Sequence, residues 1–190
     1  ATELMPLLKD ILSAIEPLKV VGSDSAEVSA LFIDSRKVSA GSMFIAISGA
    51  ASDGHTFIDK AIASGATVIV CEQLPQQLLP GVTYVQVKSS NKAAGLLAAA
   101  FYGKPSSKMK VVGVTGTNGK TTTTTLLFSL FKGLGYKCGL ISTVQNHIDD
   151  VIEVSTHTTP DAISVQTLLA RMQAAGCSHV FMEVSSHAIH

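Results

Sequence analysis

Short apolar runs alternate with stretches of helical periodicity along most of the chain. The apolar runs have the length of strands and predict them at residues 30–33, 42–47, 67–71, 83–87, 110–115, 138–142, 151–154 and 179–184. Apolar residues spaced three and four apart predict helices at residues 56–64, 91–102, 121–134 and 164–175, with a further amphipathic helix in the opening stretch ATELMPLLKDILSAI. Such alternation is typical of an α/β fold with mostly parallel strands.

The pattern changes near Lys88, and this change predicts two domains. Before Lys88 the strands are shorter, turns are frequent and only one internal helix is strong. We therefore expect a small α/β domain at residues 1–88 and a second α/β domain at residues 89–190, with the helix at 91–102 in the second. The second domain would stop after its third convincing strand, so we expect the chain to be part of a longer protein.

Composition argues against several classes of protein. Fourteen basic and fourteen acidic residues balance, and only 15% of the chain is charged, which disfavours a nucleic-acid partner. No apolar segment approaches the ~18 residues of a membrane span, and the start lacks the basic region of a signal peptide. Cys71, Cys138 and Cys177 are isolated, so we expect buried thiols in a cytoplasmic protein. Nothing in the sequence indicates an oligomeric state.

The segment KVVGVTGTNGKTT has the order of a phosphate-binding loop, from strand to glycine turn to Lys-Thr to helix. Glycines let backbone N–H groups approach phosphate oxygens, and the helix start adds the positive end of its dipole. Lys120 can reach the terminal phosphates and is the predicted catalytic residue, while the Thr121 hydroxyl can bind Mg²⁺. The predicted ATP and phosphate ligands are Gly116, Thr117, Asn118, Gly119, Lys120, Thr121 and Thr122.

Two features of this loop leave room for other interpretations. The strict phosphate-loop motif would require glycine where Val114 stands, so the alternative is a plain glycine turn between a strand and a helix. Five threonines in a row, residues 121–125, are also unusual at a helix start, because threonine is a mediocre helix former. For residues 123–125 we expect hydroxyl groups that bond back to helix carbonyls or pack locally.

Several motifs together resemble those of a known family. They are IDSRKVSAGSMFIAISGAASDGHTFIDKAIASGA, TGTNGKTTT, HTTPDA and MEVSSHA, and they span almost the whole chain. The resemblance is to the Mur ligases, ATP-dependent amide-forming enzymes of peptidoglycan precursor synthesis. The phosphate loop alone would also fit folylpolyglutamate synthetase. The motifs Asp-Ser-Arg and Asp-Gly-His narrow the resemblance to two of these ligases. One adds the third residue of the stem peptide and the other adds D-Ala-D-Ala, and the motifs HTTPDA and MEVSSHA favour the first.

The resemblance implies that the first domain holds the uridine nucleotide of the substrate UDP-MurNAc-L-Ala-D-Glu. The matching residues are Ile33, Ser35, Ala50, Ala51 and Ser52. A loop of small residues lets a flat base and a diphosphate approach backbone N–H groups. The alternative is that SGAASDG is an ordinary surface loop.

In the second domain the resemblance implies further contacts to this substrate and a magnesium ligand. The implied substrate contacts are His157, Thr158, Thr159 and Ser185, and His157 stands where the family often has Asn. Glu183 follows a strand, at the sheet end where α/β sites gather, and with Thr121 it would supply the oxygen ligands that Mg²⁺ prefers.

The implied reaction transfers the γ-phosphate of ATP to the free substrate carboxylate, and an amino acid then attacks the acyl phosphate to form an amide. Which amino acid is added is not readable from this sequence. We expect the isolated chain to bind its ligands without completing catalysis. Two other function classes stay open, a phosphate-loop kinase or nucleotidase and a UDP-sugar-binding module without catalysis.

Overall fold

The computed structural model describes residues 5–49, 52–155 and 161–185, and its contacts separate the chain into two units. Unit 1 is Ala1–Phe101 and unit 2 is Tyr102–His190. The division falls after helix α3 (Ser90–Phe101), whereas the change in sequence pattern placed this helix in the second domain. Helix α3 packs against helix α1 (Leu8–Leu12), a partner far away in sequence that a local pattern does not reveal.

Unit 1 is built on a five-stranded sheet. Its strands are β1 (Lys19–Val21), β2 (Leu31–Phe32), β3 (Met43–Ile45), β4 (Val68–Cys71) and β5 (Thr83–Gln86), in the order β1-β5-β4-β3-β2. Strands β2 to β5 pair in parallel, and β1 is antiparallel to β5. A short 3₁₀ turn (Gly54–Phe57) leads into helix α2 (Ile58–Ala63).

Both faces of the unit 1 sheet are covered. On one face Phe44, Ile69 and Tyr84 pack with Ile58 and Ala61 of α2. The alternate strand residues are buried as well, namely Met43, Ile45, Val68, Val70 and Val85. Strands buried on both sides have continuous apolar runs, which explains why the central strands were visible in the sequence.

Unit 2 contains a second five-stranded sheet. Its strands are β6 (Lys110–Val114), β7 (Cys138–Ile141), β8 (Gln145–Ile148), β9 (Val151–Val154) and β10 (His179–Glu183), in the order β6-β10-β7-β8-β9. A 3₁₀ turn (Pro105–Lys108) precedes β6, and the helices are α4 (Lys120–Gly133) and α5 (Ala162–Ala174). Strands β6, β10 and β7 are parallel, while β8 and β9 form an antiparallel hairpin beside β7.

Helices α4 and α5 lie on opposite faces of the unit 2 sheet. Phe181 and Leu140 pack with Phe128 of α4, whereas Val180 packs with Met172 of α5. Adjacent strand residues point to opposite faces, so β10 supplies one side chain to each layer in turn. This arrangement positions the carboxyl ends of β6, β10 and β7 at one edge.

The predicted α/β class is confirmed, and each predicted strand and internal helix that lies in the described residues is present to within a few residues. The sequence did not predict β1 and β8, and β8 and β9 make the second sheet less parallel than expected. Cys71, Cys138 and Cys177 are free and buried, as predicted. Within the described residues no helix is long and apolar enough to span a membrane.

Candidate functional site

Residues 115–119 connect strand β6 to helix α4 and contain the predicted phosphate ligands. Gly116 has φ +149° and Gly119 has φ +79°, both in the region that side chains disfavour. A Cβ atom at Gly119 would meet no atom within 4 Å, so the backbone conformation, not lack of room, requires glycine there. Thr117 and Asn118 between them are exposed. The loop is therefore exposed to solvent along its length.

The start of helix α4 has the features that anion binding requires. No side chain caps it, since the residue before the helix is Gly119, and the first turn contains no acidic residue. The first N–H groups of a helix lack partners within the helix, and the helix dipole favours negative charge at this end. A phosphate group fits these properties.

The Lys120 side chain folds back over the loop. Its Nζ donates a hydrogen bond to the Gly116 carbonyl oxygen at 2.6 Å. The amine therefore already lies above the glycine turn, close to the region where the free N–H groups of α4 begin. Thr121 is half-buried and Thr122 is exposed in the first turn, so neither hydroxyl is sealed inside the core.

The threonine run divides into exposed and buried positions. Thr124 is fully buried, and its hydroxyl bonds back to the carbonyl oxygens of Lys120 at 2.9 Å and Thr121 at 3.0 Å. Thr123 and Thr125 are exposed. The expected back-bonding is thus confirmed for Thr124, which ties the first turn of α4 to its second.

Glu183 lies at the same sheet edge as the loop. It is the last residue of β10 and pairs in register with Val114, the last residue of β6. Its carboxylate oxygens accept from the backbone N–H and the hydroxyl of Thr143, each at 3.4 Å. Two residues further on, the Ser185 hydroxyl is buried and has no hydrogen-bond partner within the described residues.

Five of the predicted substrate residues lie outside the described part of the chain. They are Ala50, Ala51, His157, Thr158 and Thr159. Their roles remain predictions from the sequence. No group of three or more His, Cys, Asp or Glu side chains within residues 5–49, 52–155 and 161–185 is placed to hold a metal ion.

In unit 1, a cavity of about 560 Å³ brings together Ile33, Ser35 and Ser52, which are the described members of the predicted substrate residues in this unit. Asp34, Arg36, Ile47, Gly54, Phe57 and Lys60 complete its lining. Ser35 is buried, and Lys60 makes no ion pair with any described residue. Sequence analysis missed Lys60 because it lies on α2, outside both loops that signalled the site.

Asp34 and Arg36 form a bidentate ion pair at the cavity. Arg36 donates from Nε at 2.9 Å and from Nη2 at 2.8 Å to the two carboxylate oxygens, and its backbone N–H donates to Oδ1 at 3.0 Å. The side-chain hydrogen bonds from Arg36 are the main reason that the pKa of Asp34 falls to about 2. The pair fixes the turn that carries Ser35 between them.

A second cavity in unit 1, of about 780 Å³, lies between the end of α1 and the start of α3. Its lining includes Ile15, Lys88, Lys92 and Leu96. None of the predicted site residues that the structure describes lines this cavity.

His55, to which sequence analysis assigned no role, lies in a hydrogen-bond network beside the 560 Å³ cavity. Its Nδ1 is 2.7 Å from Asp53 Oδ1, and its Nε2 accepts the backbone N–H of Glu72 at 2.9 Å. Gly54 lies between Asp53 and His55 in the sequence. A side chain there would collide with the neighbouring backbone, because a Cβ atom would lie 2.7 Å from the N and O atoms of Ile47. The Asp-Gly-His triplet was visible in the sequence, but its partners were not.

These features define a class of α/β protein. One unit contains a polar cavity, and in the other a glycine loop connects a strand to a helix. The chain belongs to the Mur ligase family. Residues 27–102 match the family described as "Mur ligase family, catalytic domain", and residues 114–190 match the "Mur ligase middle domain".

Curated relatives agree with this assignment. The chain is 54% identical over 182 residues to UDP-N-acetylmuramoyl-L-alanyl-D-glutamate--2,6-diaminopimelate ligase of Bacteroides fragilis, covering 96% of this chain and 38% of the relative. It is 56% identical over 182 residues to the protein of the same name from Cytophaga hutchinsonii, covering 95% of this chain and 37% of the relative. The chain thus spans less than two fifths of the length of these relatives.

Solved structures share the fold. A structure of a ligase with the same name has a TM-score of 0.78 at 23% identity and covers 98% of this chain and 37% of that one. The MurF ligase of Thermotoga maritima, in complex with ADP, has a TM-score of 0.57 at 24% identity and covers 83% of this chain and 32% of that one.

Proposed function

We propose that the protein is an ATP-dependent ligase of peptidoglycan precursor synthesis that adds the third stem-peptide residue to UDP-MurNAc-L-Ala-D-Glu. The observation that carries the proposal is the connection from β6 to α4, where Lys120 lies over a glycine turn at an uncapped helix start. The curated relatives are named for 2,6-diaminopimelate, and we extend that amino acid to this protein.

Unit 2 supplies the phosphate site in this proposal. The γ-phosphoryl group of ATP passes to the free carboxylate of the substrate, which gives an acyl phosphate and ADP. The amine of the amino acid then attacks the acyl carbon, and phosphate leaves. Both reacting partners are anionic, so Lys120 and the N–H groups of residues 116–122 act by neutralising charge and by holding the phosphates in line.

Magnesium fits the donor set of the same sheet edge. The Thr121 hydroxyl and the Glu183 carboxylate are oxygen donors, which this ion prefers, and neither is sealed in the core. We propose these two residues as its protein ligands. When bound, the ion supplies positive charge to the phosphates.

Unit 1 supplies the nucleotide site. The cavity beside Ser35 offers hydroxyl groups from Ser35 and Ser52, the apolar side chain of Ile33, and two cationic groups, Arg36 and Lys60. Arg36 is already engaged by Asp34, so Lys60 is the cation available for a diphosphate. A cavity with apolar walls and a few polar groups is typical of small-molecule sites.

A crossed titration tests both sites. The chain would be titrated calorimetrically with UDP-MurNAc-L-Ala-D-Glu and, separately, with ATP and Mg²⁺, as wild type, Ser35→Ala and Lys120→Met. Loss of one hydrogen bond or of a charge contact predicts affinity reduced about tenfold or more, for the UDP substrate in Ser35→Ala and for ATP in Lys120→Met. Each variant is the control for the other.

The outcomes separate the function classes. A folded wild type that binds neither ligand contradicts the proposal. Binding of the UDP substrate without ATP would favour a UDP-sugar-binding module. Binding of ATP without the UDP substrate would favour a kinase or nucleotidase.

A further inference from the structure

The network around His55 is not used by the reaction proposed above, yet it borders the nucleotide cavity. His55 lies in the 3₁₀ turn before α2, and its side chain is only 15% exposed. Both ring nitrogens have partners, and these partners come from segments on opposite sides of the ring.

The partners of His55 determine which nitrogen carries the proton. A backbone N–H can only donate, so Nε2 must accept from Glu72 and carries no hydrogen. The hydrogen of the neutral ring is then on Nδ1, which donates it to Asp53 Oδ1 at 2.7 Å. His55 thus connects a fixed donor on one side to a carboxylate on the other.

The anchor on the Glu72 side is firmly held. Glu72 follows β4 directly, and its carbonyl oxygen accepts from Gln86 Nε2 of β5 at 3.0 Å. Its carboxylate accepts the backbone N–H of Ser90 at 2.9 Å, at the start of α3. The position of the Glu72 N–H is therefore set by the central sheet of unit 1.

On the other side, Asp53 holds the segment that carries Ser52. Asp53 Oδ1 also accepts the His55 backbone N–H and the Ser48 hydroxyl, each at 3.0 Å, and residues 48 and 53 pair as an antiparallel bridge. The Gly49 N–H donates to the Ser52 carbonyl oxygen at 2.9 Å. The two sides of this hairpin are residues 48–49 and 52–53, and Ser52 lines the cavity.

We propose that His55 is a positioning residue for the nucleotide substrate: by connecting the Glu72 backbone to Asp53, it fixes the hairpin that holds Ser52 in the cavity wall. The inference rests on the proposed function, in which this cavity binds the UDP moiety. Imidazole suits the task because one rigid ring donates on one side and accepts on the other. A primary amide of similar size can replace only one of these two bonds.

Three substitutions and two measurements test the inference. His55→Ala removes both bonds, His55→Gln keeps an acceptor near Nε2 for Glu72, and His55→Asn keeps a donor near Nδ1 for Asp53. Hydrogen exchange at the Gly49 and Gly54 amides reports on the hairpin, since these donate to Ser52 and to Ile47 across it. Calorimetric titration with UDP-MurNAc-L-Ala-D-Glu reports on the cavity.

We expect His55→Ala to speed exchange of the Gly49 and Gly54 amides about tenfold and to weaken binding of the UDP substrate by a similar factor, because both ring hydrogen bonds are lost. Affinity for ATP should not change. Either amide variant should recover part of the loss. His147→Gln in unit 2 is the control, since its Nε2 has no hydrogen-bond partner among the described residues and it should change neither readout.

The inference is overturned if His55→Ala leaves exchange at Gly49 and Gly54 unchanged. It is also overturned if the loss of affinity merely matches a loss of folded protein, measured by urea unfolding of the same samples. Failure of the proposed function has a different signature, a folded wild type that does not bind the UDP substrate. The exchange data still decide in that case whether His55 fixes the hairpin.

Discussion

At the scale of single residues, the wall of the 560 Å³ cavity in unit 1 depends on a close approach between two backbone segments. The N–H of Gly54 donates to the carbonyl oxygen of Ile47 at 2.9 Å, and a Cβ atom at residue 54 would lie 2.7 Å from that oxygen. Real side chains do not tolerate this distance, so a substitution must separate the segments. Gly54 and Ile47 both line the cavity, and its shape should change with them.

We therefore expect Gly54→Ala to destabilise the protein by about 1–3 kcal/mol, the usual cost of overpacking. Urea unfolding followed by circular dichroism would measure it. Gly133→Ala is the matched control, because a Cβ atom there meets nothing within 4 Å at the end of α4. Since alanine favours helix over glycine, the control should be neutral or stabilising by up to about 1 kcal/mol. Equal effects in both variants would refute the steric account.

The Asp34 carboxyl should titrate abnormally because of Arg36. Its pKa falls from the ordinary 3.8 to about 2, mainly through side-chain hydrogen bonds from Arg36. A pKa lowered by folding means that the ion pair stabilises the native state above about pH 4 and that this stabilisation is lost as the pH falls through 2. In Arg36→Gln the pKa, followed by NMR of the Asp34 side chain, should return towards 3.8.

Lys37→Gln is the control for this titration. Lys37 contributes only a weak Coulombic effect, the last of the causes that lower the Asp34 pKa. Its removal should therefore leave the pKa near 2. An Asp34 pKa that does not respond to Arg36→Gln would contradict the hydrogen-bonding geometry.

At the scale of secondary-structure elements, the β8–β9 hairpin shows how a turn and a helix stabilise each other. Asp149 has φ +53°, which is uncommon for a residue other than glycine. The amine of Lys132 near the end of α4 contacts Asp149 at 3.1 Å and also contacts Asp150. The hairpin turn is thus connected to α4, the helix that follows the glycine loop.

Substitutions at Asp149 should separate backbone strain from charge. Asp149→Ala and Asp149→Gly both remove the ion pair. Only alanine is strained by the left-handed backbone conformation, because glycine has no Cβ atom. We expect the alanine variant to unfold with a free energy about 1 kcal/mol lower than the glycine variant. Asp149→Asn should lose only the charge contribution. If alanine and glycine give equal stability in urea, the strained conformation of residue 149 is not present in solution.

The secondary-structure elements and the candidate site residues that the sequence indicated are those whose signal is local. Strand β4 is buried along its whole length, so its sequence is a continuous apolar run. The glycine loop and Lys120 are adjacent in the sequence, so their motif is visible without knowledge of the fold. Strand β8 escaped prediction because its residues, Gln-Asn-His-Ile, are mostly polar, and its pairing with β7 and β9 supplies what its composition does not.

The cavity and the His55 network were not predictable for a different reason. Lys60 reaches the cavity from α2, and His55 meets Glu72 seventeen residues further along the chain. Such contacts arise only when the parallel strands are aligned, because their connections bring distant segments to the same sheet edge. The motif Asp-Gly-His narrowed the family resemblance, but it did not show the hydrogen-bond partners of His55.

At the scale of the whole molecule, each unit has its own sheet and its own buried core, which is the condition for separate unfolding. The three cysteines are suited to test this, since Cys71 lies in unit 1 and Cys138 and Cys177 lie in unit 2. Burial raises the pKa of the Cys71 thiol to about 11 and also raises the pKa values of the other two.

Thiol labelling should therefore be slow in the native protein and should follow the opening of each unit. With iodoacetamide at pH 8, we expect labelling at least about 100-fold slower than in the chain unfolded by urea, because buried, protonated thiols are poor nucleophiles. Mass spectrometry of the peptides, at increasing urea, should show Cys138 and Cys177 becoming reactive together and Cys71 following its own transition. If Cys138 and Cys177 react at different urea concentrations, unit 2 does not unfold as one cooperative body. If all three cysteines react without urea as fast as in the unfolded chain, they are not buried in solution.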